Sequence, residues 1–132
     1  MTANRDPLAP IKLMPKKLLY VITQSPYSSV AGQEALDAVL IGTAFEQEVS
    51  VLLLHDGVFQ CKRNQQASQA KLKVYTKTFG ALSDYGVDKI YVLKSSLFAR
   101  GLRQEDLIID TVLLNDQEVS DLIKQQFRVF TF

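Results

Sequence analysis

The 132-residue chain carries one cysteine, no excess of charge of either sign, and no apolar run longer than Leu18–Ile22. Each shortage excludes something. One thiol cannot close an internal disulfide or supply a multi-thiolate zinc or iron–sulfur site within the chain. Fifteen Lys plus Arg against fourteen Asp plus Glu leave a net charge of +1, so no bulk attraction to nucleic acid or anionic lipid follows. Five apolar residues in a row are far too few to span a bilayer. Met1–Lys17 holds three of the four prolines (Pro7, Pro10, Pro15) and no stretch of signal-peptide length, so the chain is expected in the cytoplasm. That segment reads as a flexible leader, residues 1–17, with a docking arm for a partner as the sharper alternative.

What is present is a globular composition, 47% hydrophobic and 22% charged, at a length that suits one compact domain. From Leu18 onward, short apolar runs alternate with segments of helical period. Leu18–Ile22 reads as a strand buried on both faces, Val49–Leu54 as a second β-rich apolar run and Ile90–Leu93 as the third strand. Val30–Phe45 carries a broad helical stripe, with Ser28 or Ser29 as its expected cap. Ala67–Leu82 places Leu72, Tyr75, Phe79 and Leu82 at three- and four-residue spacing, with Gly86 as a stop signal.

A short helical piece, Ser95–Arg100, should end at Gly101, and Leu107–Leu114 is β-rich although Asp110 and Thr111 interrupt it. Asn115 and Glu118 have the spacing of a capping box for a helix running to about Gln126, and Phe127–Phe132 alternates as a closing strand. The order β-α-β-α-β-α-β-α-β predicts a single three-layer α/β domain, residues 18–132, around a mostly parallel sheet of about five strands.

Open α/β sheets bind ligands beyond the C-terminal ends of their strands. Here those positions are Thr23–Ser29, His55–Phe59, Lys94–Ser96 and Asn115. The hydroxyl-rich loop Thr23–Ser29 leads into a helix N-terminus, which favours anions and suggests a flavodoxin-like phosphate loop. It has no P-loop lysine, and plain capping is the simpler reading. His55 and Cys61 lie six residues apart, and a nearby imidazolium would lower a thiol pKa. Sequence spacing does not establish that pair. Glu46 and Glu48 read as solvated charges, and Lys62-Arg63 with Lys71 and Lys73 as a short basic patch that is more simply solvated than bound to tRNA. The residues define no catalytic set, no metal set and no cofactor-binding set.

Two segments carry a family resemblance. Ser25–Ala38 ends in Ala31-Gly32-Gln33-Glu34-Ala35-Leu36-Asp37-Ala38, and Asp56-Gly57-Val58-Phe59-Gln60 follows the second strand. With Ser96-Leu97, Arg100-Gly101-Leu102 and the terminal Phe132, in that order, the chain from Leu18 to Phe132 resembles the DsrE/DsrF family, in its DsrF-like subunit type. The resemblance implies a DsrE/DsrF-like α/β fold and a place in a heterohexamer with TusB-like and TusD-like subunits, two copies of each. It implies that the complex passes persulfide sulfur, through a TusE-like acceptor, toward 2-thiouridine at the tRNA wobble position. In the family the acceptor thiol belongs to the TusD or DsrE subunit, at the end of the third strand. That region here reads Ile90-Tyr91-Val92-Leu93-Lys94, without cysteine, so the resemblance implies a non-catalytic subunit. A DsrF-type role in sulfur oxidation, a sulfurtransferase acting through Cys61, and a flavodoxin-like cofactor binder are the alternatives.

Overall fold

The structure, a computed structural model, describes residues 15–26, 30–62 and 80–132. Its centre is a five-stranded sheet in the order β4-β3-β2-β1-β5, parallel throughout. The strands are β1 (Lys17–Ile22), β2 (Glu48–Leu53), β3 (Lys89–Leu93), β4 (Val112–Leu114) and β5 (Arg128–Thr131). Three α-helices accompany them among the described residues: α1 (Ala31–Ala44), α2 (Lys94–Ala99) and α3 (Asp116–Lys124). The expected fold class holds. β1 begins at Lys17, one residue inside the stretch read as leader, and residues 1–14 lie outside the described residues.

The strand order explains the layering. From β1 to β4 each crossover steps one strand in the same direction, whereas β4 to β5 returns across the whole sheet. Right-handed crossovers then place α1 and α2 on one face and α3 on the other. The cores agree. Tyr20, Ile22, Val49, Val51, Leu53, Ile90 and Val92 point to the first face and pack with Ala35, Leu36 and Val39 of α1 and Leu97 of α2. Leu19, Val21, Leu52 and Leu114 point to the second and pack with Val119 and Leu122 of α3. Strict alternation along β1 feeds both cores, because successive side chains of a strand point to opposite faces.

Several boundaries moved for identifiable reasons. α1 starts at Ala31 with Val30 at its N-cap and no side-chain cap; Ser28 and Ser29 lie outside the described residues. β4 is only three residues, not the eight of Leu107–Leu114. Leu107 makes an isolated antiparallel bridge to Lys62, and the Gln104 side-chain amide donates to the Thr111 carbonyl, so the backbone bends before it joins β3. The capping box at Asn115 is present: the Glu118 N–H donates to Asn115 Oδ1 at 2.8 Å, and the Asn115 N–H to Glu118 Oε1 at 2.9 Å. α3 ends at Lys124 rather than Gln126. Of the stripe in Ala67–Leu82, Leu82 is buried at the start of a 3-10 turn that Gly86 closes with φ +102°; Leu72, Tyr75 and Phe79 lie outside the described residues.

Candidate functional site

The C-terminal ends of β1, β2 and β3 converge on one built corner. After β2 the chain does not wander as a loop but turns through a 3-10 helix, His55–Cys61. His55 enters it with φ +51°, in the left-handed region that L-residues seldom occupy. Its N–H donates to Ser96 Oγ at 2.9 Å, tying the end of β2 to α2. Arg100 Nε donates to Asp56 Oδ1 at 2.9 Å, and Arg100 Nη1 to the Ser96 carbonyl at 3.0 Å. Gly57 is required: a Cβ there would stand 1.9 Å from the Ile22 carbonyl oxygen at the end of β1. Buried Gln60 completes the corner, its Nε2 donating to the Gln24 carbonyl at 2.8 Å.

The positions singled out by sequence fare differently. The described part of Thr23–Ser29 is committed to structure: both the N–H and the hydroxyl of Thr23 donate to the Phe132 carbonyl, at 2.8 and 2.9 Å. Tyr27, Ser28 and Ser29 lie outside the described residues. The structure does not bring His55 and Cys61 into one site. Cys61 is fully buried in the first-face core beside Val58 and Leu107, and desolvation pushes its thiol pKa well up, the reverse of what a thiolate nucleophile needs. His55 is exposed. The reason is the 3-10 turn between the two residues, which begins at exposed His55 and ends with Gln60 and Cys61 buried.

Lys94 and Ser95 are exposed at the end of β3, and Ser96 is turned inward as the acceptor for His55. Glu46 and Glu48 are exposed, as expected of solvated charges. Of the basic patch, Lys62 is described and half-buried; Arg63, Lys71 and Lys73 lie outside the described residues. Among the described residues no group of three His, Cys, Asp or Glu could hold a metal ion, and no helix is long and apolar enough to cross a membrane. A cleft of about 520 Å³ between Asp88, Lys89, Ile108, Asp110 and Val112 opens at the opposite end of β3 and β4, away from this corner. The sequence did not announce that Gln60, Ser96 and Arg100 fix the corner. Ser96 stood among the strand-end positions and in a family-like segment, and Gln60 and Arg100 were readable only as parts of such segments.

The sequence profile of the DsrE/DsrF-like family matches residues 16–132. Among curated relatives, the "Intracellular sulfur oxidation protein DsrF" of Allochromatium vinosum is 38% identical over 89% of this chain and 96% of its own length. A "Protein TusC homolog" of Pseudomonas aeruginosa is also 38% identical, over 89% of this chain and 99% of its own. Among solved structures, the ychN protein from E. coli superposes with a TM-score of 0.73 at 19% identity, over 90% of this chain and all of its own. That last similarity concerns the fold.

Proposed function

The chain belongs to the DsrE/DsrF-like family, and from that premise we propose that it is a non-catalytic subunit of a sulfur-relay complex of the TusBCD type. In that complex it stands beside TusB-like and TusD-like subunits, and persulfide sulfur passes to a TusE-like acceptor toward 2-thiouridine at the tRNA wobble position. Relatives named for both TusC and DsrF support a sulfur-relay subunit. The single observation that carries the non-catalytic role is the occupant of the third-strand end. The end of β3, where the resemblance puts the acceptor thiol of the catalytic paralogues, reads Ile90-Tyr91-Val92-Leu93-Lys94 and has no cysteine. Persulfide transfer needs a thiolate that attacks a terminal sulfur. The chain's one thiol is buried and held neutral, so this subunit shapes the complex while a partner carries the sulfur.

Co-expression with TusB-like and TusD-like chains, followed by mass measurement of the intact complex, tests the assembly. A complex containing all three is expected; a chain that purifies alone sinks the proposal. Mass spectrometry after incubation with a persulfide donor tests the role. No added sulfur on Cys61 is expected, and a persulfide there makes the chain a sulfurtransferase instead. The DsrF relative equally favours the same subunit type in sulfur oxidation. A deletion strain separates the two pathways: loss of wobble thiolation supports the first, and intact thiolation with lost sulfur oxidation supports the second.

A further inference from the structure

β5 closes the sheet order, so one side of it pairs with β1 and the other pairs with no described strand. The Phe132 N–H donates to the Val21 carbonyl and the Thr23 N–H to the Phe132 carbonyl, both at 2.8 Å, so the backbone groups of Phe132 face β1. Alternation along a strand gives Phe130 the same direction and turns the N–H and C=O of Val129 and Thr131 outward, to the free edge. Most natural edge strands are blunted by charge, proline or a bulge. This one holds Arg128 at its start but no proline, and it carries apolar side chains on both faces: Val129 and Phe130 are 37% and 40% exposed. Phe130 stacks on Tyr20 at 5.1 Å, which fixes its ring.

We propose that β5 pairs with β5 of a second copy of this chain, antiparallel and about a two-fold axis through Phe130. The register follows from the free groups. A two-fold axis perpendicular to the sheet keeps each face on its own side, so directly opposed residues share a face. With the axis at Phe130, Val129 opposes Thr131 of the second copy and the two outward pairs exchange four hydrogen bonds. Phe130 opposes Phe130 in the closer, non-hydrogen-bonded position, and Arg128 opposes Phe132. No like charges meet, which an antiparallel pair requires for stability.

The first face fills as well. α1 packs over β1 and β2. Thr43 of α1 faces Gly86 on the β3 side, so Phe45, about 200° further round the helix, leans toward β5. At a strand spacing of about 4.8 Å the two copies of α1 stand about 19 Å apart, leaving a channel of about 9 Å above the paired β5 strands. Two Phe130 and two Phe45 rings, the latter 71% exposed in the single chain, fit that channel. Phe45, Phe127, Val129 and Phe130 together present on the order of 400 Å² of apolar surface per chain. An interface of standard size buries about 800 Å² per partner, roughly 57% of it apolar, so the patch is of the size that a stable dimer needs. The inference concerns pairing of identical chains and stands apart from the sulfur-relay reading; a failed co-expression leaves it untouched.

Sedimentation velocity on the full chain is expected to show a monomer–dimer equilibrium in the micromolar range. Val129→Pro removes an N–H that points away from β1, and is expected to weaken the dimer about 100-fold while the far-UV circular dichroism stays unchanged. Oxidation of Phe130→Cys is expected to give a disulfide-linked dimer, because the two positions oppose each other. Thr131→Cys is expected to give none, since its opposite number is Val129. A chain that is monomeric throughout overturns the proposal. So does a dimer indifferent to Val129→Pro, a cross-link at Thr131→Cys without one at Phe130→Cys, or a monomer that dimerises only when residues 1–14 are removed, which would make that segment the occupant.

Discussion

The two faces of the sheet are built to different depths. On the first, seventeen buried residues among those described come from strands, α1, α2 and three turns; on the second, five come from the strands and one helix of nine residues. The same strands serve both, so hydropathy along β1 or β2 does not produce the difference. It follows from strand order: three crossovers step in one direction and lay their connections on one face, and one returns and lays its helix on the other. The corner that fixes His55, Asp56 and Gly57 also hangs from the first face, through Val58, Cys61 and Leu97. The thin face is the part of the molecule free to change without disturbing that corner.

Truncation of one leucine on each face is the largest test of this difference. Leu53→Ala opens a cavity beneath α1 at a side chain with no exposure, and is expected to cost about 3 kcal/mol in chemical denaturation. Leu122→Ala removes a partly buried side chain of α3, which the surroundings and water can replace, and is expected to cost about 1 kcal/mol. Equal losses would break the comparison, since the second face would then be as tightly packed as the first.

Much of this was legible in the sequence. Val49–Leu54, Ile90–Leu93 and the Asn115–Glu118 box announce their elements because buried parallel strands are continuous apolar runs and a capping box has fixed spacing. Leu107–Leu114 misled because its composition is β-rich, while the Gln104 side chain and the Leu107 bridge to Lys62 decide its path; both are contacts between distant or irregular segments. The corner was half legible. Its location beyond the strand ends follows from the fold class, but the inward turn of Cys61 depends on a 3-10 helix that apolar periodicity does not signal. The close approach of Gly57 to the Ile22 carbonyl is likewise a meeting of two strand ends, invisible along the chain.

The depth of the first face has a pH signature of intermediate size. Burial favours the neutral Cys61 thiol, so its pKa is higher in the folded chain than in the unfolded one. Below the unfolded value, about 8.5, that contribution is complete. As pH rises past it the unfolded chain ionises while the folded chain does not, and stability is expected to fall by up to about 1.4 kcal/mol per pH unit. Tyr20 and Tyr91 are raised as well, through burial and, for Tyr91, also Asp88, and add their share only near pH 10. Denaturation midpoints of Cys61→Ala and the unaltered chain, compared between about pH 8 and 10, isolate the thiol. The variant is expected to be flatter, and parallel curves would mean that Cys61 meets water.

The smallest effect bears on the thin face alone. α3 starts at a reciprocal cap, Asn115 with Glu118, and it is the helix that closes Leu19, Val21 and Leu52 from solvent. Asn115→Ala leaves the Glu118 N–H without its acceptor and is expected to cost about 1 kcal/mol. Asn115→Asp keeps the acceptor, adds negative charge at a helix N-terminus, and is expected to cost nothing. Where the loss falls matters more than its size. If the second face is a separate, shallower unit, hydrogen exchange in Asn115→Ala quickens in α3 while the amides of α1 and β2 keep their protection. If protection instead falls by the same factor in α1 as in α3, the two faces open together, and the difference in their depth is geometric without being energetic.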